Sequence, residues 1–286
     1  MSRPPRSLTV YTHARPEQTG DPLRRVIELA RAAGVEVRVP QSEVDKHVIE
    51  PADGVVLGAD PADDTDLAVV LGGDGTILTT LRLYAGRRVT VFAVNFGTIG
   101  FLATVEPSEL DEGMRMALAG ELDVLALPGL IAAASDGDEL AMNDISFHRR
   151  HTGRVAELAY SVEGEQLGEV RCDGLVVATP AGSTGYNLAN GGPVLAWGVE
   201  GYVVSFIAPH TLTARALVVA PGDVLSVTNR SREEDVEMTT DGRTVCALSR
   251  EDTMTIRFQE GCALLAQLPG ASFYQRLREK FGRLAY

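Results

Sequence analysis

The run Leu67-Ala68-Val69-Val70-Leu71-Gly72-Gly73-Asp74-Gly75-Thr76 decides the fold. Five consecutive apolar residues read as a strand buried on both faces, and the glycines end it. Beyond Thr76, the apolar positions Ile77, Leu78, Leu81 and Tyr84 fall at helical spacing, and residues 89–94 form a further apolar strand. Strand, helix and strand in that order predict a parallel, doubly wound sheet.

Upstream, residues 8–11 make a short apolar strand. Leu23, Val26, Ile27 and Ala30 give residues 22–33 helical spacing, Gly34 stops that helix, and residues 35–39 form the second strand. Downstream of about residue 102 the pattern changes to short alternating segments. Turn signals separate them at Ser135-Asp136-Gly137-Asp138, Glu163-Gly164, Pro221-Gly222-Asp223 and Asp241-Gly242. Residues 1–102 are therefore expected to form an α/β domain and residues 103–269 a mostly β domain. Phe273, Leu277 and Phe281 restore helical spacing in residues 272–284, so a C-terminal helix is expected to pack back, with residues 270–286 joining the first domain.

A chain of 286 residues suits two domains, and 45% hydrophobic with 23% charged residues is ordinary for a soluble globular protein. The net charge of -13 speaks against a general binder of nucleic acid or of anionic membranes. Basic charge rests almost wholly on arginine, since Lys46 and Lys280 are the only lysines, and acids gather at residues 60–66 and 233–235. Cys172, Cys246 and Cys262 are odd in number and lack CxxC spacing, which fits a reducing compartment and argues against sulfur-held metal. Neither a signal-peptide pattern nor a run of about 18 apolar residues occurs, so a soluble, cytoplasmic protein is expected.

The segment from Gly72 to Thr76 stands at the carboxyl end of the buried strand and at the start of a helix, the place where open α/β sheets bind ligands. Gly72, Gly73 and Gly75 let backbone amides approach a phosphate, and the helix N-terminus favours its charge. Leu78 occupies the position of the last glycine of GxGxxG, and no GK[ST] follows, so the loop is neither a dinucleotide fingerprint nor a P-loop. A tight turn in which Asp74 caps the helix is the structural alternative. GGDGT resembles the loop of a kinase superfamily that includes NAD kinases, diacylglycerol and sphingosine kinases, and 6-phosphofructokinases.

Further motifs select the NAD kinase family. Asn95-Phe96-Gly97-Thr98-Ile99-Gly100-Phe101-Leu102 is similar to its NxGxxGFL segment, and Asn143-Asp144 to its substrate-holding Asn-Asp or Asn-Glu pair. Arg171-Cys172-Asp173-Gly174, followed by Thr179-Pro180-Ala181-Gly182-Ser183-Thr184-Gly185-Tyr186-Asn187-Leu188-Ala189-Asn190-Gly191-Gly192-Pro193, resembles GDGxxxxTPTGSTAYxLSAGGP. Small residues there admit a ribose, Tyr186 offers a stacking face, and Ser183 and Thr184 offer hydroxyls. Cys172, Ala181, Gly185, Ala189 and Asn190 depart from the family motif. Residues 209–219 (PHTLTARALVV) resemble PHSLSxRPLVV, with Ala216 in place of proline and His210 read as structural.

The resemblance implies that Asp74, Gly75, Asn143, Asp144, Arg154, Arg171, Asp173, Thr184, Gly185, Tyr186, Asn187, Leu188, Ala189 and Arg243 contact NAD. It makes Gly72, Gly73, Gly75 and Thr76 the phosphate loop. Asp74 is then the catalytic residue, accepting the proton of the adenosine 2′-hydroxyl late and fixing its direction. Asp241 and Gly242 are read as a hairpin turn, and His148, Arg149, Arg150 and His151, beside Arg154, as solvated. Mg²⁺, ATP or polyphosphate as donor, and a homodimer or homotetramer follow from the resemblance, with no nucleic acid or membrane partner. A lipid kinase sharing GGDGT, and an NAD(H)-binding sensor without turnover, stand as alternatives.

Overall fold

Residues 3–61, 65–98, 100–134, 137–151 and 154–282 are described in the computed structural model of the chain. The order is β1 (Ser7–Thr12), α1 (Pro16–Ala32), β2 (Glu36–Pro40), α2 (Gln41–His47), β3 (Val55–Ala59), β4 (Leu67–Gly72), α3 (Asp74–Leu83), β5 (Thr90–Asn95) and α4 (Leu110–Ala119). It continues through β6 (Asp123–Ala134), β7 (Gly137–Ala141), β8 (Asp144–Arg149), β9 (Ala156–Val162), β10 (Glu165–Cys172), β11 (Gly174–Ala178) and the one-turn α5 (Tyr186–Ala189). Then come β12 (Tyr202–Ile207), β13 (Leu217–Val219), β14 (Leu225–Asn229), β15 (Val236–Thr240), β16 (Arg243–Leu248), β17 (Thr253–Gln267) and α6 (Phe273–Phe281). The chain forms two compact units, Met1–Ala126 with Ala263–Tyr286, and Leu127–Cys262.

In the first unit β1 to β5 and the end of β17 pair in parallel, in the order β3-β2-β1-β4-β5-β17, with Leu264 and Leu265 of β17 beside Thr90 and Val91. This is a doubly wound sheet, and its order reverses between β1 and β4, so the carboxyl end of β4 borders the crevice such sheets use for ligands. All six residues of β4 are buried. Val69 and Leu71 share a core with Phe92 and Val94 of β5, Leu23, Val26 and Ala30 of α1, and Leu110, Met114 and Ala117 of α4. Side chains alternate along a strand, so Ala68 and Val70 face the other way, and Ile77 and Leu81 of α3 are also buried.

Two helices differ from the sequence expectation. α1 begins at Pro16, six residues before the expected start, and carries Pro22 inside it. Pro16 needs no partner N–H in the first turn, and buried Thr19 extends the apolar stripe, so one bond lost at Pro22 is outweighed. α4 lies where only short alternating segments were expected. It packs into the first unit's core through Leu110, Met114 and Ala117, and Gly113 lets it sit close: a Cβ there would lie 3.0 Å from both methyls of Val105. The C-terminal helix is described as Phe273–Phe281, and residues 283 and 284 of its expected span lie outside the described residues.

The second unit is almost wholly β. One antiparallel sheet runs β13-β12-β11-β8-β15-β16; the other contains β10-β9-β14-β17, with β6 pairing β17 and β7. Phe147, Leu175, Val177, Tyr202 and Val204 from the first sheet share a core with Leu158, Val170, Leu225, Val227 and Ile256 from the second. Glu163-Gly164 (φ 52 and 79) and Asp241-Gly242 (φ 46 and 75) are left-handed turn pairs that match the strand twist of hairpins. Ser135 and Asp136 of the expected turn lie outside the described residues, as do two acids of the 60–66 run and Ile99. Among the described residues no helix is long and apolar enough to cross a membrane.

Candidate functional sites of the two units

In the first unit, α3 starts at Asp74 with Gly73 as its cap, and the N–H groups of Thr76 and Ile77 donate to the Gly73 carbonyl at 3.0 and 3.1 Å. No side chain caps the helix. The Asp74 carboxylate instead accepts two backbone N–H bonds, Oδ2 from Phe101 and Oδ1 from Leu102, both at 3.0 Å. Each oxygen keeps further lone-pair capacity, so the group is oriented and still able to accept a ligand's proton.

The three loop glycines have different reasons to be glycine. A Cβ on Gly97 would lie 2.7 Å from the Cα of Gly73, and one on Gly73 would lie 3.1 Å from the Cα of Gly97. A Cβ on Gly72 would meet Thr76 at 2.8 Å. Gly73 lets two loops close on one another and Gly72 lets Thr76 fold over it; Gly75, exposed and with nothing within 4 Å of its would-be Cβ, is the one with open space around it. Asn95 braces the second loop, accepting the N–H of Gly97 at 3.0 Å and donating to Glu106 at 3.3 Å. Gly100 is left-handed (φ 61), and a Cβ there would fall 2.3 Å from the Asn95 carboxamide.

In the second unit, residues 179–186 are fastened to Met142 and Asn143. Thr179 donates its hydroxyl to the Met142 carbonyl at 2.8 Å and its N–H to that of Asn143 at 2.9 Å. Gly182 backs onto the same Asn143 carbonyl so closely that a Cβ would lie 2.0 Å from its oxygen. The Asn143 Oδ1 is buried and has no hydrogen-bond partner among the described residues, an acceptor left for a ligand. Gly185 and Tyr186 are exposed beside it, and the Tyr186 ring stacks on His148 at 5.6 Å and 13°. Burial holds the His148 imidazole below its ordinary pKa, so the ring beneath Tyr186 is neutral at pH 7.

Asp241 organises this site and was read from sequence only as a turn. Its carboxylate accepts the N–H groups of Met142, Asn143 and Asp144 at 3.0, 2.7 and 3.3 Å, and its own N–H donates to the Asp144 carbonyl at 2.9 Å. Burial, and next the charge of Asp241, push the Asp144 carboxyl up to about 7. A carboxyl raised from 3.8 favours the folded state while protonated and loses that advantage as pH rises from about 4 through about 7. Asp144→Asn is therefore expected to be more stable than wild type at pH 8 and no more stable at pH 4. Denaturant unfolding at the two pH values checks this; a gain of equal size at both would contradict it.

The other anticipated residues fall into separate settings. Arg154 and Arg171 come together in a cavity of about 660 Å³ with Glu157, Arg232, Glu233 and Glu234. Asp173 is held by Arg149, Nε to Oδ1 at 2.8 Å, which gives a structural partner to a residue expected to be solvated. Arg150 faces Asp235, His151 faces Glu234, and Arg154 bonds the Glu233 carbonyl and lies beside its carboxylate, so this cluster is matched by acidic residues rather than left as a free basic patch. Arg243 turns to Thr240 and Glu139 at 3.3 and 3.7 Å. Thr184 donates its hydroxyl to Ala181 at 3.0 Å; Leu188 is half-buried and Ala189 exposed. Asn187 is fully buried, its amide donating to the Ser183 and Pro193 carbonyls at 3.0 Å.

Ser183, expected to offer a hydroxyl to a nucleotide, does not. Its buried Oγ donates to the Pro180 carbonyl at 2.7 Å and accepts the Leu195 N–H at 2.8 Å, which uses it to close the loop.

Profiles of the ATP-NAD kinase N-terminal domain and the ATP-NAD kinase C-terminal domain match residues 22–122 and 142–266. The chain belongs to the ATP-NAD kinase family. An NAD kinase of Gemmatimonas aurantiaca is 36% identical over 227 residues, which is 76% of this chain and 77% of that one. An NAD kinase of Bifidobacterium longum subsp. infantis is 32% identical over 290 residues, 96% of this chain and 82% of the relative. The fold is shared with yeast NADH kinase complexed with NADH (TM-score 0.86, 22% identity, 99% of this chain and 91% of that chain). It is also shared with an NAD kinase from Archaeoglobus fulgidus in complex with ATP (TM-score 0.73, 25% identity, 96% and 97%).

Within this ATP-NAD kinase fold, two departures from the family motif have simple packing. Cys172 fills the second unit's core. Gly185 has room for the family's alanine, whose Cβ would meet the Gly182 carbonyl at 3.4 Å, ordinary contact.

Proposed function

We propose that the protein is an NAD kinase, transferring the γ-phosphoryl group of ATP to the 2′-hydroxyl of the adenosine ribose of NAD to give NADP and ADP. One observation carries the assignment of chemistry: both oxygens of Asp74 are aimed by backbone amides at the mouth of a glycine loop where a helix begins. The attacking hydroxyl forms the new P–O bond, the bond to ADP breaks, and Asp74 takes the proton as it is released. An aspartate is a weak base for an alcohol, so direction matters more than basicity. Residues 143–144, 184–186, 188 and 189, with Arg154, Arg171, Asp173 and Arg243, hold the dinucleotide, while fully buried Asn187, expected among them, shapes the loop from within. The orphaned Asn143 Oδ1 takes a donor from it, and the outer face of Tyr186 stacks on it.

The described residues hold no cluster of three or more His, Cys, Asp or Glu that makes a metal cage, so a Mg²⁺ ion would be held with the ATP rather than in a dedicated protein site. Bound with ATP, Mg²⁺ would supply the neutralising charge that a loop without lysine lacks. A cytoplasmic location and a homodimer or homotetramer belong to the same proposal and rest on the resemblance to the family.

The test is NADP formation from NAD and ATP, with polyphosphate as a second donor, followed through an NADP-specific dehydrogenase. Chelating divalent cations is expected to lower the rate by about a thousandfold or more and added Mg²⁺ to restore it. Binding of NAD without any NADP formed from either donor would replace this reading with that of a sensor.

A further inference from the structure

Arg276, in the nine-residue helix α6, is only 7% exposed although it is an arginine. Its Nη1 donates to the carbonyl of Phe101 at 2.7 Å and its Nη2 to Oε1 of Gln267 at 3.1 Å. The Phe101 carbonyl and the Leu102 N–H are the two ends of one peptide group. At the far end of that peptide, the Leu102 N–H donates to Oδ1 of Asp74 at 3.0 Å. The neighbouring Phe101 N–H takes the other oxygen, also at 3.0 Å. The Phe101 ring is seated against two rings of α6, Phe273 at 5.7 Å and Phe281 at 5.8 Å, so helix and peptide cannot drift apart independently.

Hydrogen bonds in series polarise one another, and a charged donor at one end of an amide strengthens the N–H at its other end. Burial pulls the Arg276 guanidinium down to about 10, with Asp74 the first of the acids that counter it, ahead of Glu279 and Glu106. It is therefore still charged at neutral pH. A lysine lacks the fork that reaches Phe101 and Gln267 together.

We propose that Arg276 is a positioning residue for catalysis: through the Phe101–Leu102 peptide it sets the direction of the Asp74 carboxylate and strengthens its hydrogen bonding. This rests on the reading of Asp74 given above. A purely structural latch, holding α6 to the sheet, is the competing account, and the two differ in what they do to turnover.

Steady-state kinetics of Arg276→Gln, Arg276→Lys, Asp74→Asn and the double variants separate them. Arg276→Gln is expected to lower kcat about thirtyfold with KM for NAD and for ATP within about twofold, and Arg276→Lys to recover to about fivefold below wild type. Placed on Asp74→Asn, Arg276→Gln is expected to cost no more than about twofold, because the group it acts through is already gone. A loss repeated in full on Asp74→Asn, or KM values that rise in step with the fall in kcat, overturns the proposal in favour of the latch. Should Arg276→Gln not fold, the fivefold loss of Arg276→Lys is read in its place, present in wild type and absent on Asp74→Asn. Wild-type turnover in Asp74→Asn alone would sink the reading of Asp74, and this inference with it.

Discussion

Asp74→Asn is expected to lower kcat for NADP formation by about a thousandfold, within the range general-base groups contribute. NAD affinity should change by less than about fivefold, and stability by less than about 1 kcal/mol. An asparagine keeps one oxygen for one of the two backbone N–H groups. It sets an amide donor against the other, carries no charge and accepts no proton. The variant thus keeps the size of the side chain while losing its direction and basicity. Stopped or steady-state assay of the pure variant, with NAD titration and unfolding alongside, decides it. A fall of less than about tenfold would mean that Asp74 does not meet the reacting hydroxyl.

The second large effect is structural. Gly182→Ala puts a Cβ 2.0 Å from the Asn143 carbonyl oxygen and 2.4 Å from its carbon, both backbone atoms with no rotamer to yield. The same carbonyl accepts the Thr179 N–H at 2.9 Å, so relieving the clash breaks the fastening of residues 179–186 to Asn143. A loss of about 3 kcal/mol or more in stability is expected, with NAD binding weakened beyond about a hundredfold. Gly185→Ala, three residues on, is the matched control: its nearest contact is 3.4 Å, and it should move stability by less than about 0.5 kcal/mol. Gly182→Ala with wild-type stability and affinity would show that the loop has a freedom its packing denies.

What could be read in advance was what depends on local order. A five-residue apolar run closed by glycines has one reading, and β4 and its loop are where the sequence put them. The loop from Thr179 to Pro193 is recognisable because its residues are contiguous. Asp241 was not legible as part of the site, since its three amide partners lie 97 to 99 positions away and are brought to it only when β15 pairs with β8. Arg149 reads as solvated in the sequence for a related reason: its partner Asp173 is reached across the β8–β11 pairing, which no spacing announces. α4 was hidden by Gly113, a residue that weakens a helix by propensity and is required here by the closeness of Val105.

The return of β17 to the edge of the first sheet has a consequence for how the protein is made. A chain emerging from the ribosome presents β1 to β5 early, but the strand that flanks β5 and the helix that holds Phe101 come only after the second unit, with Arg276 standing 175 residues after its partner. The second unit, Leu127–Cys262, is contiguous and complete before then. The nascent first unit therefore waits with an unpaired β5 edge until the second unit has been made and β17 and α6 have followed it.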